Sequence, residues 1–157
     1  MSGPAGARTN PRLRRAGRVL LVDARGRVLL VRGTDPGRPG SRYWFTTGGG
    51  AREHETLAEA AARELLEECG LAVDPADLAP VLDDVTEFPY EGVWYRQEQT
   101  LFLLRVDAWE VPVARLDPAQ LDGIVEHRWW TVEEIEATSE EVYPPHLAAV
   151  LRGILER

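Results

Sequence analysis

The sequence predicts an α/β fold, a mixed sheet flanked by helices. Strand-like runs outnumber helical ones, and the helical segments fall between groups of strands. No internal repeat or interdomain linker breaks the chain, and 157 residues suit one domain with a sizeable core.

The elements can be taken in order. The first sixteen residues carry Arg8, Arg12, Arg14 and Arg15 but no apolar stretch, so residues 1–16 are expected to form a flexible basic arm and residues 17–157 the domain. Two β-rich runs, Val19–Val22 and Val28–Val31, flank a turn at Asp23–Gly26 and read as a hairpin. A loop then feeds a short strand at Tyr43–Thr47, followed by a turn of three glycines, Gly48–Gly50. Leu57–Cys69 reads as a helix, opened by the capping box Thr56-x-x-Glu59 and stopped by Gly70.

Beyond it, APVLDDVTEF and VWYRQEQTLFLLRV are long strands separated by PYEG. In the second, Trp94, Arg96 and Glu98 alternate with Tyr95, Gln97 and Gln99, so one face of the strand is expected to be wet, with Glu98 on the polar face. VEHRWW is a further strand, in which at least one of Trp129 and Trp130 faces the core. A second capped segment, TVEEIEA, follows, and a helix over roughly residues 146–156 closes the chain.

Composition narrows the function classes. The single cysteine, Cys69, excludes an intramolecular disulfide and a multi-cysteine zinc site, and fits a reducing, cytoplasmic setting. A net charge of −8 argues against general nucleic-acid binding, and no apolar run is long enough to span a membrane. All 18 basic residues are arginine, so a P-loop lysine or a Schiff-base lysine is ruled out. The only serines, Ser2, Ser41 and Ser139, lie outside any G-x-S-x-G setting, which disfavours a serine hydrolase.

The helix after the glycines carries the chemistry. At about 100° per residue, Glu67 and Glu68 lie near −60° and +40° of Glu64, so the three acids share roughly a third of the circumference. Ala58, Ala61, Ala62, Leu65, Leu66 and Cys69 gather on the other side as a packing face. Like charges at these spacings repel, and Glu67 and Glu68 sit at the negative end of the helix dipole. Such an arrangement either is a solvated face or holds a hard cation; the glycine turn before it favours a bound metal–phosphate group.

From Gly49, five residues lead to Glu55, seven more to Arg63, and then RELLEECGL follows. This stretch, Gly49–Leu71, resembles the signature of the Nudix hydrolases (MutT-like), G-x5-E-x7-R-E-U-x-E-E-x-G-U with U aliphatic, at every specified position. The approach WFTTGGG and the late segment EHRWWTVEEI also look like that family. The resemblance implies an α/β/α sandwich and divalent-metal-dependent hydrolysis of a nucleoside diphosphate linked to another moiety, with water attacking phosphorus.

By position, Glu64, Glu67 and Glu68 would bind the metal, Mg²⁺ with Mn²⁺ as a substitute. Glu55 and Arg63 would brace the loop, with Gly49 permitting its turn and Gly70 ending the helix. The general base is open among Glu64, Glu98 and Glu126. Phosphate contacts are expected from Arg32, Arg42 or Arg96, and base stacking from Tyr43, Trp44 or Trp94. His54 is expected in solvent and Cys69 in the core. The expected partner is a nucleotide-like small molecule, and homodimers are common in the family. The other class of function is a nucleotide sensor that binds without cleaving.

The substrate is not specified by the motif's surroundings. Thr86 occupies the place where a proline would mark ADP-ribose hydrolysis. Glu87, Phe88 and Pro89 stand where a tyrosine would mark dinucleoside polyphosphates, with Tyr90 just outside. Nucleoside triphosphates, oxidised ones included, stay open.

Overall fold

The computed structural model describes residues 3–112 and 124–157. Residues 1–2 of the expected arm and 113–123 of the expected domain lie outside the described residues. The elements run β1 (Arg12–Val22), β2 (Val28–Gly33), β3 (Tyr43–Gly50), α1 (Leu57–Cys69), β4 (Ala79–Tyr90), β5 (Val93–Arg105), β6 (Ile124–Trp130), α2 (Val132–Ala137), β7 (Glu141–Tyr143) and α3 (Leu147–Leu155).

The strands form one mixed sheet in the order β4-β5-β1-β2-β3-β7, with β6 paired to β2 and a second pairing of β1 with β3. The predicted hairpin is present: β1 and β2 are antiparallel, with Val22 opposite Val28. The strand itself begins at Arg12, before the domain start expected at residue 17, because it pairs in parallel with β5 from Arg12↔Tyr95 to Val22↔Arg105. Likewise, the three glycines are not a free turn. They are the end of β3, with Gly50, Gly49 and Gly48 opposite Ala16, Gly17 and Arg18.

Two apolar layers enclose the sheet. On one side Val19, Leu21 and Leu29 pack against Ala61, Ala62, Leu65 and Cys69 of α1. On the other, Leu20, Val28, Leu30, Trp44 and Trp130 meet Val132, Ile135, Leu147, Leu151 and Ile154 of α2 and α3. β1, β2, β5 and β6 thus send alternate residues to opposite helical layers, giving the expected α/β/α sandwich.

α1 forms where its local signals place it. The Thr56 hydroxyl accepts from the Glu59 amide at 3.1 Å, and the Glu59 carboxylate accepts from the Thr56 amide at 3.0 Å. Gly70 ends the helix with φ 72°. Leu66, expected on the packing face, is instead 43% exposed, whereas Glu68, expected on the wet face, is only 7% exposed. The difference follows from what α1 packs on: its C-terminal turn leans over the glycine end of β3, and Glu68 accepts a hydrogen bond from the Gly48 amide at 3.3 Å.

Candidate active site

A cavity of about 340 Å³ opens beside the last turns of α1, within the size range of small-molecule sites. Glu64, Glu67 and Glu68 line it from α1, and Gly48 and Gly49 from the end of β3. Arg14 and Arg18 enter from β1, while Thr86, Phe88 and Tyr90 of β4 and Gln97 and Gln99 of β5 form the facing wall. Tyr43, Phe45 and Tyr143 add a further aromatic side.

Arg63 organises the acidic wall. Its Nε and Nη2 donate to both oxygens of Glu55, at 2.8 and 2.9 Å, a bidentate pair. Nη2 also donates to the Gly50 carbonyl at 3.0 Å, and Nη1 to Glu64 at 2.8 Å. Nη1 stands 3.5 Å from Glu67, which also lies 3.9 Å from Arg52. One guanidinium thus fastens the loop after β3 to the helix and offsets the repulsion among the acids. Those hydrogen bonds hold the Glu55 carboxyl down at about 2. Gly49 is required by close approach: a Cβ there would lie 2.6 Å from Cδ of Glu64.

Arg18 and Glu68 form the inner end. Arg18 donates to the carbonyls of Thr46 and Gly48, at 3.3 and 2.9 Å, and its guanidinium lies 5.5 Å from the centre of the Phe45 ring. Burial pulls its pKa down to about 10, with Glu68 opposing the fall, so the group stays cationic at neutral pH. Burial pushes Glu68 well above the ordinary carboxylate range, against the attraction of Arg18, and the charge of Glu64 raises it further. From the far side, His127 of β6 meets the Glu68 carbonyl at 2.9 Å through Nε2. Burial lowers the His127 pKa, so the ring stays neutral and Nε2–H is the donor.

Several residues expected at the site lie elsewhere. Trp44 is 2% exposed in the core with Trp130, its indole N–H bound to Glu140, because its β3 position faces α2 and α3. Arg32 pairs with Glu126 at 3.1 Å across β2 and β6, its guanidinium 5.6 Å from the Trp44 ring centre. Arg42 is exposed in the loop before β3. Arg96 and Glu98 are exposed on the side of β5 opposite Gln97 and Gln99. None of these lines the cavity, and neither does Glu126 or Trp94. Tyr43 does line it, His54 is exposed, and Cys69 is buried.

Arg14, Arg18, Gln97 and Gln99 were not singled out by their types. Position would have found the glutamines, because they share the parity of Leu101, a fully buried residue of the same strand.

The donor set suits a hard divalent cation. Among the described residues no three acidic, histidine or cysteine side chains stand together as a ready metal cage. Mg²⁺ needs none, since it keeps several waters and takes one or two carboxylates along with substrate oxygens. Three glutamates lining one cavity supply that chemistry.

The comparisons with known proteins agree with this architecture. The family model for the NUDIX domain matches residues 12–150. The chain belongs to the Nudix family. It is 31% identical over 117 residues to the oxidized purine nucleoside triphosphate hydrolase of Danio rerio, an alignment spanning 74% of this chain and 66% of that protein. Among solved structures, the MutT protein of Methanosarcina mazei Go1 shares the fold, with a TM-score of 0.65, 19% identity, and 93% and 95% of the two chains covered. The bifunctional NMN adenylyltransferase/ADP ribose pyrophosphatase of Francisella tularensis, solved with AMP and a Mn ion, matches with a TM-score of 0.62 and 20% identity. There the alignment covers 96% of this chain and 43% of the larger protein.

Proposed function

We propose that the protein is a divalent-metal-dependent nucleotide pyrophosphohydrolase. The observation that carries the reading is that Glu64, Glu67, Glu68 and Arg18 meet in one cavity that aromatic and amide side chains also line. A polyphosphate belongs at the charged end and a planar base at the other. Glu64, Glu67 and Glu68 would hold Mg²⁺, or Mn²⁺ in its place. An ion held there would supply neutralisation of phosphate charge and a more acidic water.

The chain's own groups do the rest. Arg18 offers a cation held on two backbone carbonyls, which neutralises substrate oxygens without having to be ordered first. Arg63 fixes the direction of the Glu64 carboxylate. Of the three carboxylates considered for the proton acceptor, only Glu64 lines the cavity, and we assign the role to it. Purine nucleoside triphosphates, oxidised ones included, are the first substrates to try, since the Danio rerio relative is named for the oxidised ones.

The test is turnover of a panel of nucleoside triphosphates, ADP-ribose and dinucleoside polyphosphates with Mg²⁺, with Glu67→Gln alongside. We expect one substrate to be cleaved and the variant to lose on the order of 10²-fold or more in kcat with an unchanged fold. Binding without cleavage by the wild type would favour the sensor instead.

A further inference from the structure

One wall of the cavity contains a polar group that nothing among the described residues satisfies. Gln97 is 1% exposed and Gln99 5% exposed, and both line the cavity. The Gln97 amide donates to the Gln99 carbonyl oxygen at 2.7 Å, and the Gln99 amide donates toward Asp84 at 3.4 Å. The pairs follow from register, since β4 places Asp84 opposite Gln99 and Thr86 opposite Gln97. At the end of this relay Gln97 Oε1 is buried with no hydrogen-bond partner among the described residues.

The orientation of both amides is settled by chemistry. A carboxylate has no proton to give, so Gln99 must turn its NH₂ toward Asp84. Its oxygen then faces Gln97, which must in turn offer its NH₂. The oxygen of Gln97 is therefore left over as an acceptor, and a buried acceptor without a donor is costly. A ligand carrying an N–H at that place removes the cost; one carrying a carbonyl or a C–H leaves it standing.

We infer that Gln97 selects the base: it accepts a hydrogen bond from an exocyclic amino group of a nucleobase held among Tyr43, Phe88 and Tyr90, with Gln99 and Asp84 fixing its polarity. Gln97 is a binding residue for the base, whereas Gln99 and Asp84 are positioning residues that act through it. The inference rests on the nucleotide reading above and names the part of the nucleotide that is read. Amide side chains read base edges elsewhere by the same donor–acceptor matching.

The test compares nucleotides that differ by one amino group: adenosine against purine riboside, guanosine against inosine, and cytidine against its 4-deamino analogue. Binding is measured by calorimetry with the α,β-methylene triphosphates, and turnover with the natural triphosphates. In the wild type we expect removal of the amine to weaken one pair by about tenfold, and Gln97→Met to reduce that difference to about twofold. Asp84→Asn supplies an NH₂ that lets both glutamines turn over, so the preference for an amine should shrink or reverse in favour of the oxo base. A simple packing role for Asp84 would not do this.

No pair differing in the wild type would overturn the inference, and so would a difference that survives in Gln97→Met. Amine-dependent binding without turnover of any nucleotide would refute the hydrolase reading and leave this one standing. Turnover with no amine preference would do the reverse.

Discussion

Gly17 of β1 lies so close to Leu57, the first residue of α1, that a Cβ on Gly17 would sit 2.0 Å from the Leu57 carbonyl oxygen. The helix that carries the acids therefore rests on bare backbone, and its height above the sheet is set there. Gly17→Ala should push α1 outward and destabilise the fold by about 2–4 kcal/mol, the scale of severe overpacking. Urea denaturation would measure the loss, and a midpoint like the wild type's would show that the contact gives way freely.

The Glu55–Arg63 pair makes a prediction with a definite sign. Glu55 has a folded pKa of about 2 against 4.5 when unperturbed, chiefly through its hydrogen bonds to Arg63. A depressed carboxyl stabilises the folded state fully above the unfolded value and loses that contribution as pH falls through the folded one. The stability difference between wild type and Glu55→Gln should then be on the order of 2–3 kcal/mol at neutral pH. It should shrink between pH 4.5 and about 2. A difference independent of pH over that window would mean that the ion pair is not its source.

Arg18 shares the inner end of the cavity with Glu68, and its loss should fall on substrate binding. Arg18→Met should raise KM by on the order of 10-fold or more, the scale of a charge-assisted contact. Arg18→Lys should recover part of this, because a lysine keeps the charge but not the two-carbonyl grip. A KM unchanged in both variants would remove Arg18 from the phosphate site.

Asp35, 2% exposed, joins two loops at the cavity rim. Its Oδ1 accepts from the amides of Gly37 at 2.8 Å and Glu91 at 2.7 Å, tying the β2–β3 loop to the β4–β5 turn. These bonds and Arg38 hold its carboxyl low against the opposing effect of burial. Asp35→Ala should cost about 2–3 kcal/mol and raise KM more than it lowers kcat. Steady-state kinetics beside a thermal melt would separate the two, and a fall in kcat alone would contradict a role at the rim.

The parts of this molecule that were legible in the sequence are those fixed by neighbours. α1 announced itself because Thr56, Glu59 and Gly70 act within a turn of their own positions, and its acids because the motif spacing is local. The hairpin was legible for the same reason. The parallel pairing of Arg12–Val22 with Tyr95–Arg105 was not, since its partners lie about eighty residues apart and no short pattern specifies them. Without that pairing, Arg12–Ala16 looked like a tail. The position of Arg32, Trp44 and Arg96 away from the cavity is not legible for a related reason: side-chain type suggests a contact, whereas the face of the curled sheet that a residue occupies decides what it touches. Gln97 stands out only in the folded strand, where its register opposite Thr86 and beside the Gln99–Asp84 pair brings it to the cavity.

The outermost position of β4 in the sheet has a bearing on how the protein behaves when concentrated. An edge strand of twelve residues presents a row of unmatched amides that could recruit another chain and grow fibres. Pro80 and Pro89 remove donors near both ends of that row, and the exposed acids Asp83 and Glu87 repel an identical edge approaching it. The strand that holds Gln99 through Asp84 is thus also an open edge, and its prolines and acids disfavour the addition of another strand there.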